Sequence, residues 1–161
     1  SICYGLILLK MKMNRTKIPP LFFYGTLRSQ EVRDAVLDKN ANKLILSDAY
    51  LIGFKLFKVK NANYPLIIKD TLSKKPILGY LVKGLDKKII RQLDLFEGDN
   101  YSRYKVYAYE TKKKIKISCE IYMPNKSLAY TDEWIFEDWC KLNKNNFFEI
   151  DFSKKGILGP R

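Results

Sequence analysis

The sequence predicts an α+β fold with a largely antiparallel or mixed sheet that can curl into a barrel. Short apolar or alternating segments outnumber helical ones, and they do not alternate with helices in a βαβ rhythm. The chain has 161 residues, of which 47% are hydrophobic and 29% charged. That composition is typical of globular proteins, and the length is sufficient for one sizeable core. We therefore expect one domain with terminal extensions.

Strand patterns recur along the chain. Residues 21–24 form a continuous apolar run, as in a strand buried on both faces. Residues 115–121 alternate most regularly and follow a predicted hairpin turn at 111–113. Their expected core face is Ile115, Ile117, Cys119 and Ile121. The other predicted strands are 49–59 (with Tyr50, Ile52, Phe54 and Leu56 alternating), 66–68, 77–82 and 104–109.

Three helices are expected. The first is short and begins after Ser29. The second covers 85–96, with Asp86 as its N-cap, Gly98 as its stop and one apolar stripe. That stripe consists of Ile89, Ile90, Leu93 and Phe96. The third lies near 131–142 and is predicted to bury Ile135, Trp139 and Leu142.

The two ends of the chain are interpreted as additions to the domain. Residues 1–19 are an expected extension, of which 1–12 lie upstream of the natural start or form a weakly packed arm. Their apolar run is too short to span a bilayer, and basic residues follow it, unlike in a signal peptide. The domain is expected over 20–142, and 143–161 form a basic and aromatic tail. No membrane partner is predicted.

Composition excludes several kinds of chemistry. The chain has no histidine, which removes Ser-His-Asp triads, HExxH zinc sites and histidine bases. Its three cysteines, Cys3, Cys119 and Cys140, form no CxxC pair, so a reduced, cytoplasmic location fits best. Thiol chemistry at Cys140 lacks a base or a partner cysteine. We expect no metal and no cofactor.

The net charge of +13 allows two interpretations. One is a basic surface that binds nucleic acid or another anionic partner. The other is codon bias, since lysine greatly outnumbers arginine and accompanies many Asn, Ile, Tyr and Phe residues. Because no RNA-binding signature is present, we favour codon bias and regard nucleic acid as a secondary candidate.

The segment Tyr24-Gly25-Thr26-Leu27-Arg28 is the first place that could carry chemistry. A buried strand runs there into a glycine turn and then a helix start. Glycine permits positive φ and close approach to a ligand, and free amides at a helix start favour a carboxylate or phosphate. The local pattern alone is weak, because most such corners are only structural.

Glu97 is the second place. At 100° per residue it falls between Ile90 and Leu93 on the apolar stripe, so its carboxylate is predicted to point inward at a helix C-terminus. Burial and the helix dipole both raise the pKa of such a carboxyl group, which suits a general acid/base near neutral pH. The alternative is a partly buried Glu97 paired with Arg103 or a lysine. Asp94, at the margin of the stripe, is predicted to be a surface residue.

Together, the two places resemble a known family. Phe23-Tyr24-Gly25-Thr26-Leu27-Arg28 resembles the Tyr-Gly-[Ser/Thr]-Leu loop of gamma-glutamylcyclotransferases, and residues 93–103 resemble their Leu-Asp-x-Phe-Glu signature with a following Tyr-x-Arg. The branch of gamma-glutamylamine cyclotransferases and avirulence-induced-gene-like proteins is the most similar. The likeness extends over about residues 21–122.

The resemblance implies a small mixed β-barrel flanked by a few helices. It also implies cyclisation of a small γ-glutamyl amine or amino acid to 5-oxoproline, with Glu97 as the catalytic acid/base. Carried over in the same way, substrate binding falls to Tyr24, Gly25, Thr26, Leu27 and Tyr101.

Three further residues, Arg28, Tyr64 and Arg103, are implied to support the site, although Arg103 is equally expected to pair with a surface acid. The alternative function is a non-catalytic member of the family that binds an anionic partner.

Overall fold

A computed structural model describes residues 2–7 and 17–160. Residues 2–7 form a short exposed helix, α1. Much of the predicted N-terminal extension, residues 8–16, lies outside the described residues. The division into an extension, a domain and a tail therefore stays a prediction.

Five strands form a closed barrel in the order β1-β5-β2-β6-β7. All pairs are antiparallel except the closing one, in which Leu21 of β1 pairs in parallel with Glu120 of β7. The barrel strands are β1 (Leu21–Phe23), β2 (Ile45–Leu51), β5 (Ile77–Lys83), β6 (Tyr101–Glu110) and β7 (Ile115–Pro124). The mixed barrel and the α+β class confirm the predicted fold.

A separate three-stranded antiparallel sheet has the order β4-β3-β8. Its strands are β3 (Phe54–Val59), β4 (Pro65–Lys69) and β8 (Tyr130–Glu133). The prediction of one strand over 49–59 is wrong. The chain turns at Gly53, whose φ of 87° suits glycine, and passes from the barrel to this second sheet.

The predicted alternation is out of phase in β2, whereas in β3 Phe54 and Leu56 pack against the barrel core as partly buried residues. Ala49 and Leu51 are buried in the barrel, whereas Ile52 is 40% exposed at the turn. Neighbouring aromatic residues occupy the other side of the strand, where the Tyr50 and Tyr109 rings stack across the pair β2–β6 at 5.3 Å. Cross-strand ring stacking therefore accounts for Tyr50, the first of the large residues that suggested an inward face.

The helices are α2 (Gln30–Leu37), α3 (Lys87–Glu97), α4 (Phe136–Leu142) and the single turn α5 (Lys144–Asn146). Tight 3-10 turns cover Thr26–Arg28 and Asp38–Lys43, and a π-helical turn covers Phe147–Asp151. Helix α3 confirms its predicted cap, because the Asp86 carboxylate accepts a hydrogen bond from the Ile89 amide at 2.8 Å. Its four stripe residues are all buried.

The prediction of the last helix is correct only for its C-terminal half. Residues 130–133 extend as β8 along β3, so the helix begins at Phe136. As a result Ile135 precedes the helix and is 42% exposed, and Leu142 is 72% exposed. Trp139 is nevertheless buried as predicted, and Trp134 also packs in the core.

Two apolar clusters fill the molecule. One lies inside the barrel and includes Cys119 and Ile121. Ile115, predicted to share their face, is instead 48% exposed because it directly follows the hairpin turn. The other cluster lies between the barrel, α2, α3 and the C-terminal segment, where Phe147 is fully buried. The C-terminal segment thus packs into the fold.

Within residues 2–7 and 17–160, no helix is long and apolar enough to cross a membrane.

Candidate functional site

Glu97, the last residue of α3, lies in a narrow cleft at the edge of the barrel. The turn 24–27 forms one wall, and the start of β4 at Tyr64 and Pro65 forms another. Tyr101, Tyr122 and Ile157 complete the lining. The structure therefore brings the two sequence signatures to the same cleft, although they are about 70 residues apart.

The Glu97 carboxyl group lies in an environment that favours its protonated form. Burial, and secondarily the negative charge of Asp94, raises its pKa from about 4.5 to about 8. No ion pair in the described part of the chain involves Glu97, so the alternative of a Glu97–Arg103 pair is wrong. A carboxyl group with this pKa can both accept and donate a proton near neutral pH.

Asp94, one turn earlier, has the opposite environment. Its carboxylate accepts hydrogen bonds from Arg103 Nε at 2.9 Å and from the Tyr122 hydroxyl at 2.8 Å. Arg103 also donates to Glu120 at 2.9 Å. Arg103 is thus a structural partner of two acids, as the sequence suggested. Asp94 is 42% exposed through its side chain, but it is a bonded member of this network and not simply a surface residue.

Four tyrosines surround the cleft, and each hydroxyl has a protein acceptor. Tyr24 donates to the carbonyl of Tyr122. Tyr101 donates to the carbonyl of Pro65 at 3.1 Å, and Tyr64 to that of Leu158 at 2.9 Å. Burial raises the pKa of Tyr64 to about 12 and also raises the pKa of Tyr24, Tyr101 and Tyr122, so all four remain protonated donors at neutral pH.

The turn after β1 differs from its predicted conformation. Gly25 has φ −116°, not a positive value. A side chain there would be crowded, since a Cβ atom would lie 3.0 Å from Pro65 Cγ, closer than ordinary van der Waals contact. The 3-10 turn uses the amides of Arg28 and Ser29, which donate to the carbonyls of Gly25 and Thr26 at 3.0 Å. The earlier amides of a helical turn have no partner within the turn itself.

Arg28 is the one predicted supporting residue that the structure places elsewhere. Its side chain does not line the Glu97 cleft but a separate groove beside β3 and β8. There it stacks over the Phe136 ring, with its Cζ atom 4.2 Å from the ring centroid. Tyr64 lines the cleft, and Arg103 approaches it only through the Asp94 and Tyr122 network.

Two contributors to the cleft were missed by sequence reasoning. Tyr122 follows the last core residue of an alternating strand and carries no separate signal. Ile157 belongs to the tail, whose motif-free sequence indicated nothing. Its amide donates to the carbonyl of Phe96 at 2.8 Å, and the residue lines two adjoining spaces that both include Glu97. The hydrogen bond between Tyr64 and Leu158 fixes the same segment.

Within the described residues, no group of three or more acidic or cysteine side chains is arranged to hold a metal ion. The cleft instead combines one titratable carboxyl group, tyrosine hydroxyls and a turn with backbone amides. Such a set can move protons, in a cleft of about 30 Å³ that adjoins a second space of about 190 Å³, also lined by Glu97.

Solved structures contain the same arrangement of strands and helices. The chain is similar to an Arabidopsis thaliana protein solved in solution, with a TM-score of 0.61, 27% identity, and coverage of 81% of this chain and 86% of that one. A gamma-glutamyl cyclotransferase matches with a TM-score of 0.56 at 18% identity, covering 69% and 68%. The fold is therefore that of the gamma-glutamyl cyclotransferases.

Sequence comparison identifies the family more narrowly. The family model described as "Gamma-glutamyl cyclotransferase, AIG2-like" matches residues 21–141, and the chain belongs to that family. AIG2-like protein C of Arabidopsis thaliana is 30% identical over 143 residues, which is 88% of this chain and 79% of the relative. AIG2-like protein A of the same plant is 30% identical over 131 residues, covering 80% and 76%.

Proposed function

We propose that this protein is a cyclotransferase that converts a γ-glutamyl amine or γ-glutamyl amino acid to 5-oxoproline and the free amine or amino acid. The α-amino nitrogen of the substrate forms a bond to its own γ-carbonyl carbon, and the bond from that carbon to the leaving nitrogen breaks. The observation that carries the proposal is the Glu97 carboxyl group, which has no ion pair in the described residues and a pKa raised to about 8, in the cleft of a family member.

Glu97 moves the protons in this proposal. Its carboxylate takes a proton from the α-ammonium group, which makes the nitrogen nucleophilic. The resulting carboxylic acid then returns this proton to the leaving nitrogen as the tetrahedral intermediate collapses. The ring nitrogen gives its second proton to the released amine, which departs as an ammonium ion. A pKa near 8 is suited to both steps, because neither protonation state is rare at neutral pH.

The remaining residues of the cleft would hold the substrate in a folded shape. The amides of Gly25, Thr26 and Leu27 are the proposed donors to the substrate carboxylate, with Tyr24 and Tyr101 as neighbouring walls. Because ring closure is intramolecular, correct orientation alone supplies much of the rate. We propose that the reaction uses no cofactor. The three free cysteines favour a cytoplasmic location.

The test is 5-oxoproline release from a panel of γ-glutamyl amino acids, γ-glutamyl amines and γ-glutamyl-ε-lysine. Wild type is compared with Glu97→Gln and with Glu31→Gln, a matched change at an acid on α2 paired with Lys144. We expect release by wild type and Glu31→Gln only, with circular dichroism showing all three folded. Equal release by Glu97→Gln, or none from any substrate by folded wild type, would overturn the proposal.

One observation favours a second candidate, the binding of an anionic partner. On the exposed face of the β6–β7 hairpin, the Tyr107 ring is 48% exposed and lies within 5.4 Å of the Lys105 Nζ atom and 4.8 Å of the Lys116 Nζ atom. Such a face could accept a base or a phosphate. This candidate predicts salt-sensitive binding of single-stranded RNA that Glu97→Gln leaves unchanged and Tyr107→Ala weakens.

A further inference from the structure

A groove of about 470 Å³ lies beside the second sheet, apart from the Glu97 cleft. Its floor and walls come from β3, the start of β5 and the chain leaving β8, and most of the lining is apolar. Phe54, Phe57, Trp134 and Phe136 supply aromatic surface. The size and the apolar lining are those of small-molecule sites.

Among the three cations that line this groove, Arg28 is the one without an ion pair in the described residues. In the described part of the chain it forms no ion pair, and its guanidinium is covered on one side by the Phe136 ring at 4.2 Å. The rim lysines, by contrast, already have partners. Lys75 pairs with Glu133 at 2.6 Å, and Lys55 with Asp70 at 3.2 Å.

Two buried N–H groups of the groove residues also lack an acceptor. They are Nε of Arg28 and Nε1 of Trp134, the two unpartnered buried side-chain polar atoms in the described residues. Trp134 is only 4% exposed. Buried donors are nearly always satisfied in folded proteins, so two unsatisfied donors in one groove point to an acceptor that a ligand brings. Trp139 forms the contrast, since its Nε1 donates to the carbonyl of Asn63 at 2.7 Å.

We propose that this groove binds a small carboxylate with an aromatic or branched apolar body, whose carboxylate pairs with Arg28. The apolar body lies along the aromatic wall. Polyanions are disfavoured because Glu133 and Glu137 also line the groove, and a neutral apolar molecule leaves the guanidinium unpaired. The site is independent of the proposed cyclisation, because it contains none of the residues assigned to that reaction.

The test uses 3-phenylpropionate as the probe, with 3-phenylpropanamide as its neutral analogue and acetate as a carboxylate without an apolar body. Calorimetry measures affinity for the full chain. We expect a dissociation constant of about 1 mM or tighter for 3-phenylpropionate and at least about tenfold weaker binding of both analogues. In ¹⁵N–¹H spectra the Trp134 indole signal should shift and that of Trp139 should not.

Two variants place the binding. Arg28→Gln should weaken the affinity for 3-phenylpropionate at least about tenfold, whereas Arg91→Gln on the exposed face of α3 should not. Leu78→Tyr, at an exposed residue lining the groove, narrows it without touching Arg28 and should also weaken binding. Equal affinity for acid and amide, unchanged binding in both groove variants, or no binding at about 10 mM probe would overturn the proposal. If a γ-glutamyl compound displaced 3-phenylpropionate, the probe would be bound in the Glu97 cleft. That result would also overturn the proposal.

Discussion

The last turn of α3 presents two carboxyl groups to opposite surroundings. On its outer side, Asp94 is partly exposed and accepts hydrogen bonds from Arg103 and Tyr122. On its inner side, Glu97 has no ion-pair partner in the described residues, and burial raises its pKa to about 8. The residue types are nearly the same, and only three positions separate them. Their surroundings therefore differ as the proposed function requires: Asp94 is part of a structural network, and Glu97 is the proposed proton-exchanging group.

The largest expected effect separates the two residues by activity. Glu97→Gln should lower kcat/KM for 5-oxoproline formation by about 10²-fold to 10⁴-fold, the usual contribution of a general acid/base. Asp94→Asn should retain activity within about tenfold of wild type, because it does not touch the proposed reacting atoms. The measurement is kcat/KM with one γ-glutamyl substrate at saturating and low concentrations.

The effects of the two substitutions on stability should have the opposite order, with Asp94→Asn the more destabilising. Asp94→Asn weakens a charge-assisted network and should lower the free energy of unfolding by about 1 to 2 kcal/mol. Glu97→Gln should leave it unchanged or raised at pH 7. Urea denaturation of both variants checks this. If Asp94→Asn lost as much activity as Glu97→Gln while staying folded, the division of tasks would be wrong.

The second expected effect is a pH dependence of stability. Glu97 has a folded-state pKa near 8 against an ordinary value near 4.5, so between these values the folded state binds the extra proton. Stability from this group is therefore present at low pH and is lost as the pH rises toward 8. Relative to Glu97→Gln, wild type should lose at least about 1 kcal/mol between pH 5 and pH 9, because one pKa unit corresponds to about 1.4 kcal/mol. If the free energies of unfolding of wild type and Glu97→Gln changed with pH in parallel, Glu97 would be solvated and this prediction would be wrong.

The burial of Glu97 on the inner side of this turn could be predicted from sequence because it depends only on nearby positions. The Asp86 cap, the apolar stripe and the inward Glu97 follow from positions within one helix. The meeting of Glu97 with the turn after β1 depends on the pairing of distant strands, and only the family resemblance indicated it.

Other features of the structure could not be predicted from short-range sequence patterns. The break at Gly53 sends one apparent strand into two sheets, and Ile157 reaches the cleft from a tail without a motif. Arg28 adjoins the signature turn in sequence, yet its side chain enters another groove. Spacing along the chain does not determine such placements, since they depend on tertiary packing.

The third expected effect concerns the C-terminal segment that lies beside Glu97. Ile157 lines two adjoining spaces that both include Glu97, so Ile157→Ala should enlarge the cleft beside Glu97. We expect kcat/KM for a bulky γ-glutamyl amine, relative to γ-glutamyl-alanine, to rise about threefold to tenfold. Leu158→Ala is the control, because its side chain is 52% exposed and only its carbonyl holds Tyr64. An equal change in both variants would indicate general loosening of the tail.

The smallest expected effect tests the outer side alone. Arg103 bonds Asp94 through Nε and Nη2 and Glu120 through Nη1, a forked geometry that lysine cannot reproduce. Arg103→Lys should therefore cost about 0.5 to 1 kcal/mol of unfolding free energy, a value kept small by the partial exposure of all three side chains. A double-mutant cycle of Arg103→Lys with Asp94→Asn should show that much of this loss comes from the interaction between the two residues. If Arg103→Lys instead lowered kcat at unchanged stability, the outer network would act on Glu97, and the two sides of the turn would not be independent.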